Sequence, residues 1–534
     1  MRWLAAIALI AACGGSKQAP APDAGNASLV LDIPNGALDP QGYTSVEIVL
    51  HEPGGDITRT TSVDSNGNFD LDRIDPSNSV SVEATLRNAS GAAVGYGRTA
   101  VSSALAAGAQ ITVPVRRPIA YIAGLVSQPP QNNPTGPLSW TEVPATFSDL
   151  SVGTGMDGSA VVGSNIVLVV GAGPNLYMVT QATMNPTGAL TGPAKIMPIA
   201  AADHAVGPPL AASITGAVID GAGSDDGSTL VIGTTSELFA VDTAAGTARM
   251  VSDGSFARVA IVAAMSGELD AVVIKNRAST TATTCATTAE LWWVPLAAGA
   301  AAPHMVATGG FSDIAADRGH AYYVDACKGE LGEVTASATQ LLRALPGTGP
   351  GAPPPVGRPT ALAVSSGQAY VGIEIPPVTT PTAIPATASL IVASITGTAA
   401  PRALWTEAAQ QVLDVVGHTD VQRQLSASSV VFNHLEIGAG GDYIALTTAA
   451  HFQAAEIPGL FPQMTIDTEE LRVFAAATGG VVERYRSWCD GVLFGPSPGD
   501  ISGWECTAVT GQSAPASAAL KHHVGSMTFE FGKK

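Results

Sequence analysis

A recurring strand–turn–strand phrase is the strongest constraint on how this chain folds. The phrase reads ELFAVDTAAGTARMV at residues 237–251, with two short apolar runs on either side of a polar turn at Gly246. Apolar and polar residues that alternate with a period of two are typical of β-strands, so each copy predicts an antiparallel strand pair. The copies share a leucine at the same point of the pattern: Leu176, Leu238, Leu291, Leu331, Leu390 and Leu471.

Additional strands precede each copy and enlarge the repeat. Runs such as STLVIGTTS and HAYYVDAC come directly before a phrase, and a run of small residues such as TALAVSS precedes most of these. Successive leucines are 62, 53, 40, 59 and 81 residues apart. A unit of three or four strands with variable loops predicts a β-propeller, whose blades stack around an axis because one blade cannot bury both faces.

Strands at the two ends of the repeat predict how the ring closes. IAYIAG (119–124) and LSWTEV (138–143) have no inner strand before them, whereas ECTAVTG and HVGSMTFEF are spare strands near the C-terminus. A blade shared between the two ends would leave no exposed sheet edge. We therefore predict an all-β chain in which residues 118–534 form a propeller of seven blades, within a range of six to eight.

The propeller pattern also resembles a known group. AY(V/I)xG followed by L-x-V is similar to the pattern of bacterial surface-layer and lactonase-like propellers, and it extends over residues 118–534. The WD dipeptide and kelch signatures do not occur. The resemblance implies a fold and leaves the activity open.

A smaller unit is predicted before the propeller. Residues 28–117 contain six short alternating runs, which predict a β-sandwich. The stretch SVDSNGNFDLDRIDPSNSVSVEATL, with Asn66-Gly67 suited to a two-residue hairpin turn, resembles carboxypeptidase regulatory-like and immunoglobulin-like modules. Calcium is an alternative for this stretch, although no glutamate closes the loop at the distance that calcium loops use. Its oxygen ligands would come from Asp64, Asn66, Asn68, Asp70 and Asp72.

The N-terminus predicts export and a lipid anchor. Arg2 is followed by an apolar run over residues 3–12 that is too short to cross a bilayer and is typical of a signal peptide. The run ends in IAAC, which resembles the lipobox of bacterial lipoproteins and implies that Cys13 is acylated; ordinary cleavage beside an incidental cysteine is the alternative. Gly14 in place of an aspartate implies the outer membrane over the inner. Residues 13–27 are rich in glycine, alanine and proline and predict a flexible tether.

Charge excludes one class of partner. The formal net charge is −19, from 25 basic and 44 acidic residues, and the basic residues do not cluster. Binding to nucleic acid depends on a basic surface that neutralises phosphates, so we expect no nucleic-acid partner.

The remaining four cysteines predict two disulfides. An even number of cysteines in an exported chain favours pairing, and no C-x-x-C or nearby histidine suggests a metal. Cys285 and Cys327 lie in matching loops of adjacent predicted blades. Cys489 and Cys506 flank a short connection. We therefore predict the pairs Cys285–Cys327 and Cys489–Cys506.

Motifs for a reaction are sparse. No nucleophile elbow, zinc-protease motif, phosphate loop or dinucleotide fingerprint occurs, and we predict no metal site or cofactor. The repeated FSDL and FSDI place Asp149 and Asp313 at the start of predicted innermost strands, where they could face the central channel. The alternative is that these aspartates cap turns or accept backbone hydrogen bonds.

Long insertions point to one face of the propeller. They fall between the second and third strands of several blades, at 125–137, 276–289, 376–388 and 449–469, so they decorate one face. The last insertion predicts an apolar contact loop, although it could instead pack locally. Its apolar residues are Phe452, Ile457, Leu460, Phe461 and Met464.

Two functions are compatible with these patterns. The first is a lipid-anchored envelope protein that binds a protein, glycan or other envelope component through the decorated face, or serves there as a scaffold. The alternative is a propeller enzyme, such as a hydrolase or lactonase-like enzyme, with a metal or polar site in the channel mouth. Because only Asp149 and Asp313 are candidates for that site, the sequence favours binding.

Overall fold

The structure is a computed structural model in which every described secondary-structure element is a β-strand. In the described part of the chain there is no helix of the length and apolarity needed to cross a membrane. The structure describes residues 17–18, 28–33, 40, 42–52, 55–63, 81–101, 110–125, 145–149, 166–184, 190–200, 205–264, 267–277, 285–350, 356–377, 386–408, 430–440, 442–454, 464–493, 501–508 and 523–529.

Seven strands form the N-terminal unit, and they lie in the order β1-β2-β7-β6-β5-β3-β4. The pair β2 and β7 is parallel, whereas the other neighbours are antiparallel. The strands are β1 (Lys17–Gln18), β2 (Ser28–Asp32), β3 (Tyr43–His51), β4 (Ile57–Ser62), β5 (Ser81–Asn88), β6 (Ala93–Arg98) and β7 (Gln110–Arg116).

This sheet folds over on itself and encloses a core. β6 and β7 pair through only two residue pairs, so the sheet bends there and brings β2 and β7 opposite β3 and β5. Leu31 and Val113 on one side pack with Ile48 and Leu86 on the other. The result is the predicted sandwich. The strand at 17–18 differs from the prediction, because it pairs with β2 where a free tether was expected.

The rest of the described chain forms seven further sheets. Their strands, in chain order, are β8 (Ile119–Leu125), β9 (Ala145–Asp149), β10 (Ile166–Ala172), β11 (Asn175–Met184), β12 (Leu190–Ile199), β13 (Val218–Gly223), β14 (Thr229–Thr234), β15 (Glu237–Asp242), β16 (Thr247–Asp253), β17 (Phe256–Ala263), β18 (Leu269–Lys275), β19 (Ala289–Pro295), β20 (His304–Gly309), β21 (Phe311–Asp317), β22 (His320–Asp325), β23 (Glu330–Val334), β24 (Thr339–Ala344), β25 (Arg358–Ser365), β26 (Gln368–Ile375), β27 (Thr387–Ser394), β28 (Arg402–Ala408), β29 (Val430–Gly440), β30 (Tyr443–Ala454), β31 (Met464–Ala475), β32 (Val481–Leu493), β33 (Ile501–Ala508) and β34 (His523–Phe529).

These sheets are the blades of a closed seven-bladed propeller, as predicted. Blade one is β10-β11-β12, blades two to five are β13–β16, β17–β20, β21–β24 and β25–β28, and blade six is β29–β33. The seam blade has the order β34-β8-β9. The first strands β10, β13, β17, β21, β25, β29 and β34 contact one another in that order, and β34 contacts β10, which completes the ring.

The seam joins the two ends of the repeat, with one difference from the prediction. HVGSMTFEF supplies β34, which pairs with β8 from the opposite end of the repeat. ECTA, the described part of ECTAVTG, belongs to β33, an extra fifth strand of blade six, so its assignment to the seam is wrong. LSWTEV lies outside the described residues.

Burial on both faces explains why the middle strands read as continuous apolar runs. In β14, Leu230 and Ile232 pack toward blade one, whereas Val231 between them packs toward blade three. Each such side chain is removed from water, and full burial of a valine or leucine contributes about 1.5–3 kcal/mol. A strand that is apolar on both sides is stable only when a neighbouring blade covers each side, and a closed ring provides this cover for every blade.

Every first strand also has a register shift at the same level, which shows that the seven units are equivalent. Such a bulge adds a residue to one strand and bends it locally. The shifts lie at 166/168, 218/220, 256/258, 311/313, 359/361, 432/434 and 524/526.

The propeller has two faces, a near face and a far face. The turns between first and second strands lie at one end of the ring, which we call the near face. The connections between second and third strands lie at the other end, the far face. Because neighbouring strands run antiparallel, the strand ends that flank all four long insertions predicted from the sequence lie at the far face.

Candidate functional site

Asp313 is held by the blades on both sides and takes the alternative role considered for it. It is 2 % exposed on β21 and its carboxylate accepts hydrogen bonds from the backbone N–H groups of Ile314 and Leu362, at 2.9 and 2.8 Å. The Nε atom of Arg258 in blade three lies 3.0 Å from Oδ1. The side chain therefore joins blades three, four and five.

Asp220 has the equivalent role two blades earlier, between blades two and three. It is fully buried on β13 and its Oδ2 accepts the backbone N–H of Val259 in blade three at 2.8 Å. Both aspartates directly follow the register shift of their strand. A buried backbone N–H that lacks a partner is costly, so a carboxylate at this level stabilises the bent strand of the next blade.

Asp149 does not share this position. It ends β9, which is the third strand of the seam blade and not its innermost strand. The prediction failed because β34 arrives from the C-terminal end and takes the place next to the axis, which moves β8 and β9 outward. Because β9 belongs to the seam blade, β10 is the first strand of blade one, and NLYMV, the first copy of the phrase, is the second strand of its blade and not the third.

The far face contains a disulfide between Cys285 and Cys327, as predicted. Their Cα atoms are 5.4 Å apart, and the bond links the second-to-third-strand connections of blades three and four. Asp325 organises the blade-four turn: its carboxylate accepts the backbone N–H groups of Cys327 and Lys328 at 2.8 and 2.9 Å. The far face therefore has one rigid, covalently closed sector.

Blade six projects from the far face. β30 and β31 each have 12 residues, compared with 6 in β14 and 7 in β18. The extra length lies at the end of β30 and the start of β31, which is the far end, and about five extra residues add roughly 16 Å of strand.

This projection corrects the predicted contact loop. Phe452 and Met464 belong to paired strands, since Phe452 is opposite Ile466 and Met464 is opposite Ala454. Ile457, Leu460 and Phe461 lie outside the described residues. The apolar alternation around Phe452 and Ile466 continues the strand pairing, which sequence reading had assigned to a loop.

Cys489 and Cys506 are paired in register within the projecting sheet. They occupy opposing positions on the antiparallel strands β32 and β33, and the partner of Cys489 on its other side is Asp467. Opposing residues on antiparallel strands have Cα atoms about 4.5–5.5 Å apart, which is within the range that a disulfide spans. The pairing Cys489–Cys506 remains a prediction.

Glu374 is a titratable group on the far side that sequence reading missed. It lies near the end of β26, where Thr360 Oγ1 donates a hydrogen bond to its Oε1 at 3.2 Å. Burial raises the pKa of Glu374 to about 7, and Thr360 and the charges of Arg277 and Arg358 oppose the shift. No motif marks this residue, because the bulge that brings Thr360 beside it is a tertiary feature.

The near face is covered by the sandwich. Arg98 of β6 is 7 % exposed at its side chain, and its guanidinium lies 2.9 Å from Asp225 in the turn of blade two and 3.6 Å from Asp317 in the turn of blade four. Arg87 of β5 forms an ion pair with Asp442 in the turn of blade six. Contacts to turns on three sides of the ring place the sandwich across the axis.

A polar face of the sandwich makes these contacts. Val82, Ala84 and Leu86 of β5 point into the sandwich core, so the alternating residues Glu83 and Arg87 point to the opposite side. In a strand at the surface this side would meet water, but here Glu83 is 5 % exposed. The sequence offers no signal for this burial, since the alternation is that of a sheet with one solvated face.

His51 and Arg318 extend the contact at one edge. His51 Nδ1 lies 2.8 Å from Asp56 Oδ1 within the sandwich and 2.8 Å from Arg318 Nη1 in the turn of blade four. His51 Nε2 lies 3.2 Å from Glu83 Oε1. We refer to Asp56, Glu83 and His51 of the sandwich, together with Asp317 and Arg318 of the propeller, as the junction cluster.

The junction cluster shifts the pKa of its members through opposing effects. Burial lowers the pKa of His51, but Glu83 and Asp56 outweigh it, so the pKa is raised above its usual value while Arg318 opposes the rise. Burial likewise favours the neutral form of Glu83, yet His51, Arg98 and Arg318 lower its pKa. Both shifts favour an ion pair between the two side chains.

The described residues contain no candidate metal site. Among the residues that the structure describes, no three or more His, Cys, Asp or Glu side chains are placed to hold a metal ion together. The calcium alternative at Asp64, Asn66, Asn68, Asp70 and Asp72 lies outside the described residues, as does the acylation site Cys13.

Comparisons with known proteins add little beyond this architecture. No protein-family model and no curated protein matches the chain. Solved structures match at 9 % identity: a nidogen/laminin complex (TM-score 0.31, covering 55 % of this chain and 94 % of that one), the hydrazine synthase of Kuenenia stuttgartiensis (0.33, 54 % and 76 %) and the WD40 repeats of RRP9 (0.31, 55 % and 78 %). Similarity at this level says nothing about what the protein binds.

Proposed function

We propose that this protein is an exported, lipid-anchored component of the cell envelope that binds a protein or glycan partner, or serves as a scaffold for one, through the far face of its propeller. The observation that supports this most directly is the position of the sandwich. Because Arg98, Arg87 and Arg318 tie the sandwich to near-face turns of three blades, a partner has access to the far face and not to the near face.

The direction of the chain supports the same orientation. The lipid anchor proposed at Cys13 precedes the sandwich, and the sandwich separates the N-terminus from the propeller. A membrane on the sandwich side leaves the far face directed outward. The outer membrane is the proposed location, in line with Gly14 after the cysteine.

The far face has features suited to recognition. The projecting sheet of blade six lies on the same side of the ring as the connections of blades three and four, which the Cys285–Cys327 disulfide links. The aspartates that the structure describes on the innermost strands are all engaged. Backbone N–H groups bind Asp220 and Asp313, Arg258 pairs with Asp313, and Asp317 pairs with Arg98 and Arg318. Such carboxylates support a role in holding blades together, which favours binding over catalysis.

The anchor is tested by labelling growing cells with a radioactive fatty acid. We expect label in the wild-type protein and none in a Cys13→Ser variant, while a Cys285→Ala/Cys327→Ala variant keeps the label. Label that persists in Cys13→Ser would contradict the anchor without touching the proposed binding face.

The binding face is tested by photo-crosslinking in intact cells. A photoreactive amino acid is placed at Thr287 or Lys328, both exposed beside the far-face disulfide, and at Met250, which is 55 % exposed on the outermost strand of blade two. We expect a discrete crosslinked product from the far-face positions only. Equal products from Met250, or none from either far-face position, would contradict the proposal.

A further inference from the structure

We propose that His51 is a proton-operated latch between the sandwich and the propeller, which holds the junction closed when the imidazole is neutral and loosens it when the imidazole is protonated. The inference concerns the covered near face and does not depend on what the far face binds.

The two contacts of the Nδ1 atom are mutually exclusive. An Nδ1 that has a proton can donate to Asp56 Oδ1, whereas an Nδ1 without one can accept from Arg318 Nη1; each partner lies 2.8 Å away. The first bond stays within the sandwich, and the second crosses to the propeller. The protonation state of one ring atom therefore decides whether His51 contributes a hydrogen bond to the junction.

The other ring nitrogen faces a carboxylate of the sandwich. Nε2 and Glu83 Oε1 are buried and lie 3.2 Å apart as an ion-pair contact, and neither atom has a hydrogen-bond partner among the described residues. A neutral ring with its proton on Nε2 directs that proton at Glu83 and leaves Nδ1 open to accept from Arg318, whereas a protonated ring has no acceptor nitrogen.

Charge adds to the effect of the hydrogen bond. The groups around the imidazole are Asp56 and Glu83 from the sandwich and Arg318 from the propeller, with Asp317 and Arg98 behind them. With a neutral ring, Arg318 faces two sandwich carboxylates and an acceptor nitrogen. A protonated ring cancels one of those negative charges and directs a second N–H group at the guanidinium.

Arg318 and Gly319 are the two central residues of the hairpin turn between β21 and β22, whose end residues Asp317 and His320 pair. Their φ values are 49° and 81°, and positive φ at both central positions is what a two-residue hairpin turn of this kind requires. The turn of blade five has the same geometry with Ser366 and Gly367, and a Cβ at Gly367 would lie 3.0 Å from Arg318 Nη2. The short turn therefore defines where the Arg318 side chain leaves the propeller.

The direction of the pH dependence follows from the causes of the pKa shift. Glu83 and Asp56, which raise the pKa of His51, belong to the sandwich, whereas Arg318, which lowers it, belongs to the propeller. Undocking removes Arg318 and part of the burial, so the undocked ring has the higher pKa and binds the proton more tightly. Docking therefore weakens as the pH falls from above both values, and this window lies above the ordinary value of 6.5.

Folding of the sandwich itself has the opposite sign. The pKa of His51 is raised relative to the unfolded chain, so its contribution to folding is fully present below 6.5 and is lost as the pH rises through the folded value. Mild acid is thus expected to loosen the junction while it stabilises the sandwich. This pair of opposite responses separates a latch from general acid unfolding.

The test is amide hydrogen exchange by mass spectrometry on the full chain at about pH 6 and about pH 8.5, with labelling times scaled to the intrinsic exchange rate at each pH. We expect peptides from β6 and from the turn at Asp317–His320 to lose about three- to tenfold in protection at the lower pH, since the loss of one hydrogen bond across the junction weakens docking by about that factor. Protection of β14 should stay unchanged.

Variants assign the response to one residue. His51→Gln should show the same protection at both pH values, whereas His304→Gln, an exposed histidine on β20, should respond like the wild type. A wild type without a pH response at the junction would overturn the proposal, and this outcome does not depend on any variant folding. An unchanged response in folded His51→Gln would overturn it as well.

Discussion

The two faces of the propeller are held by different forces. The near face is joined to the sandwich by ion pairs between buried or half-buried side chains, in which Arg87 and Arg98 of the sandwich and Arg318 of the propeller meet aspartates of the other unit. The far face is held by backbone pairing and by the Cys285–Cys327 bond, and its connections vary in length. Buried charges need complementary partners at fixed distances, so the near face tolerates little variation. A connection closed by a covalent bond tolerates much more variation in sequence and length, which suits a face that binds a partner.

The largest expected loss of stability comes from a substitution at the near face. Arg98→Met leaves Asp225 and Asp317 without this cation at 9 % and 2 % side-chain exposure, and removing one partner of a buried ion pair costs about 3–5 kcal/mol. Chemical denaturation should show an earlier transition of the sandwich, and exchange protection of the near-face turns should drop. Arg59→Met on exposed β4 is the control and should change stability by less than about 0.5 kcal/mol. Equal stability of Arg98→Met and wild type would mean that the junction is not held by this arginine.

The next effect belongs to the far face. Replacing both Cys285 and Cys327 with alanine opens a bond that spans 42 residues, and such a bond contributes about 2–4 kcal/mol. Thermal unfolding of the propeller should shift down, while exchange at the near-face turns under native conditions stays as in the wild type. If the near-face turns lose protection as well, the two faces are coupled and the comparison above fails.

An intermediate effect concerns the ring between the faces. Asp313→Asn provides a single amide oxygen where Ile314 and Leu362 use two carboxylate oxygens, and it removes the charge that pairs with Arg258. We expect a loss of about 1–3 kcal/mol in the free energy of unfolding. Asp32→Asn, with 57 % side-chain exposure, serves as the matched control. A loss no greater than that of the control would contradict the role of Asp313 between blades.

The smallest effect is a pH dependence on the far side. The folded-state pKa of Glu374 is raised to about 7 from 4.5, so the folded chain binds the proton more tightly and stability falls as the pH rises from 4.5 to 7. Glu374→Gln should remove this fall and stabilise the protein at pH 8 by about 1 kcal/mol, because Glu374 is half-buried and solvent screens part of the effect. Parallel pH profiles of the melting temperature for the two proteins would contradict the assignment.

Local pattern was sufficient for the number and type of the repeats. The shared leucines, the small-residue strands and the spare strand HVGSMTFEF predicted seven blades and a joined seam, because each depends on residues close in sequence. The Cys285–Cys327 pair followed from their matching places in adjacent repeats.

Sequence patterns predicted the wrong position for a residue where a strand or domain distant in sequence determined that position. Asp149 has the same FSD context as Asp313 but lies two strands from the axis, since β34 takes the inner place in the seam blade. The sequence predicts a loop at Phe452 and Met464 because they lie in an insertion between the repeated strands, yet pairing with neighbouring strands extends β30 and β31 over them. Glu374 and His51 have no motif at all.

The sequence by itself therefore determined that this chain is a string of β-units that must stack, since period-two patterning and apolar middle strands arise from contacts every blade makes with its neighbours. Only the tertiary structure decided which strand faces the axis and which side of the sandwich is buried. The reason is physical: a solvated polar face and a polar face docked on aspartates have the same alternation, and they differ only in the charges that another part of the chain brings opposite them.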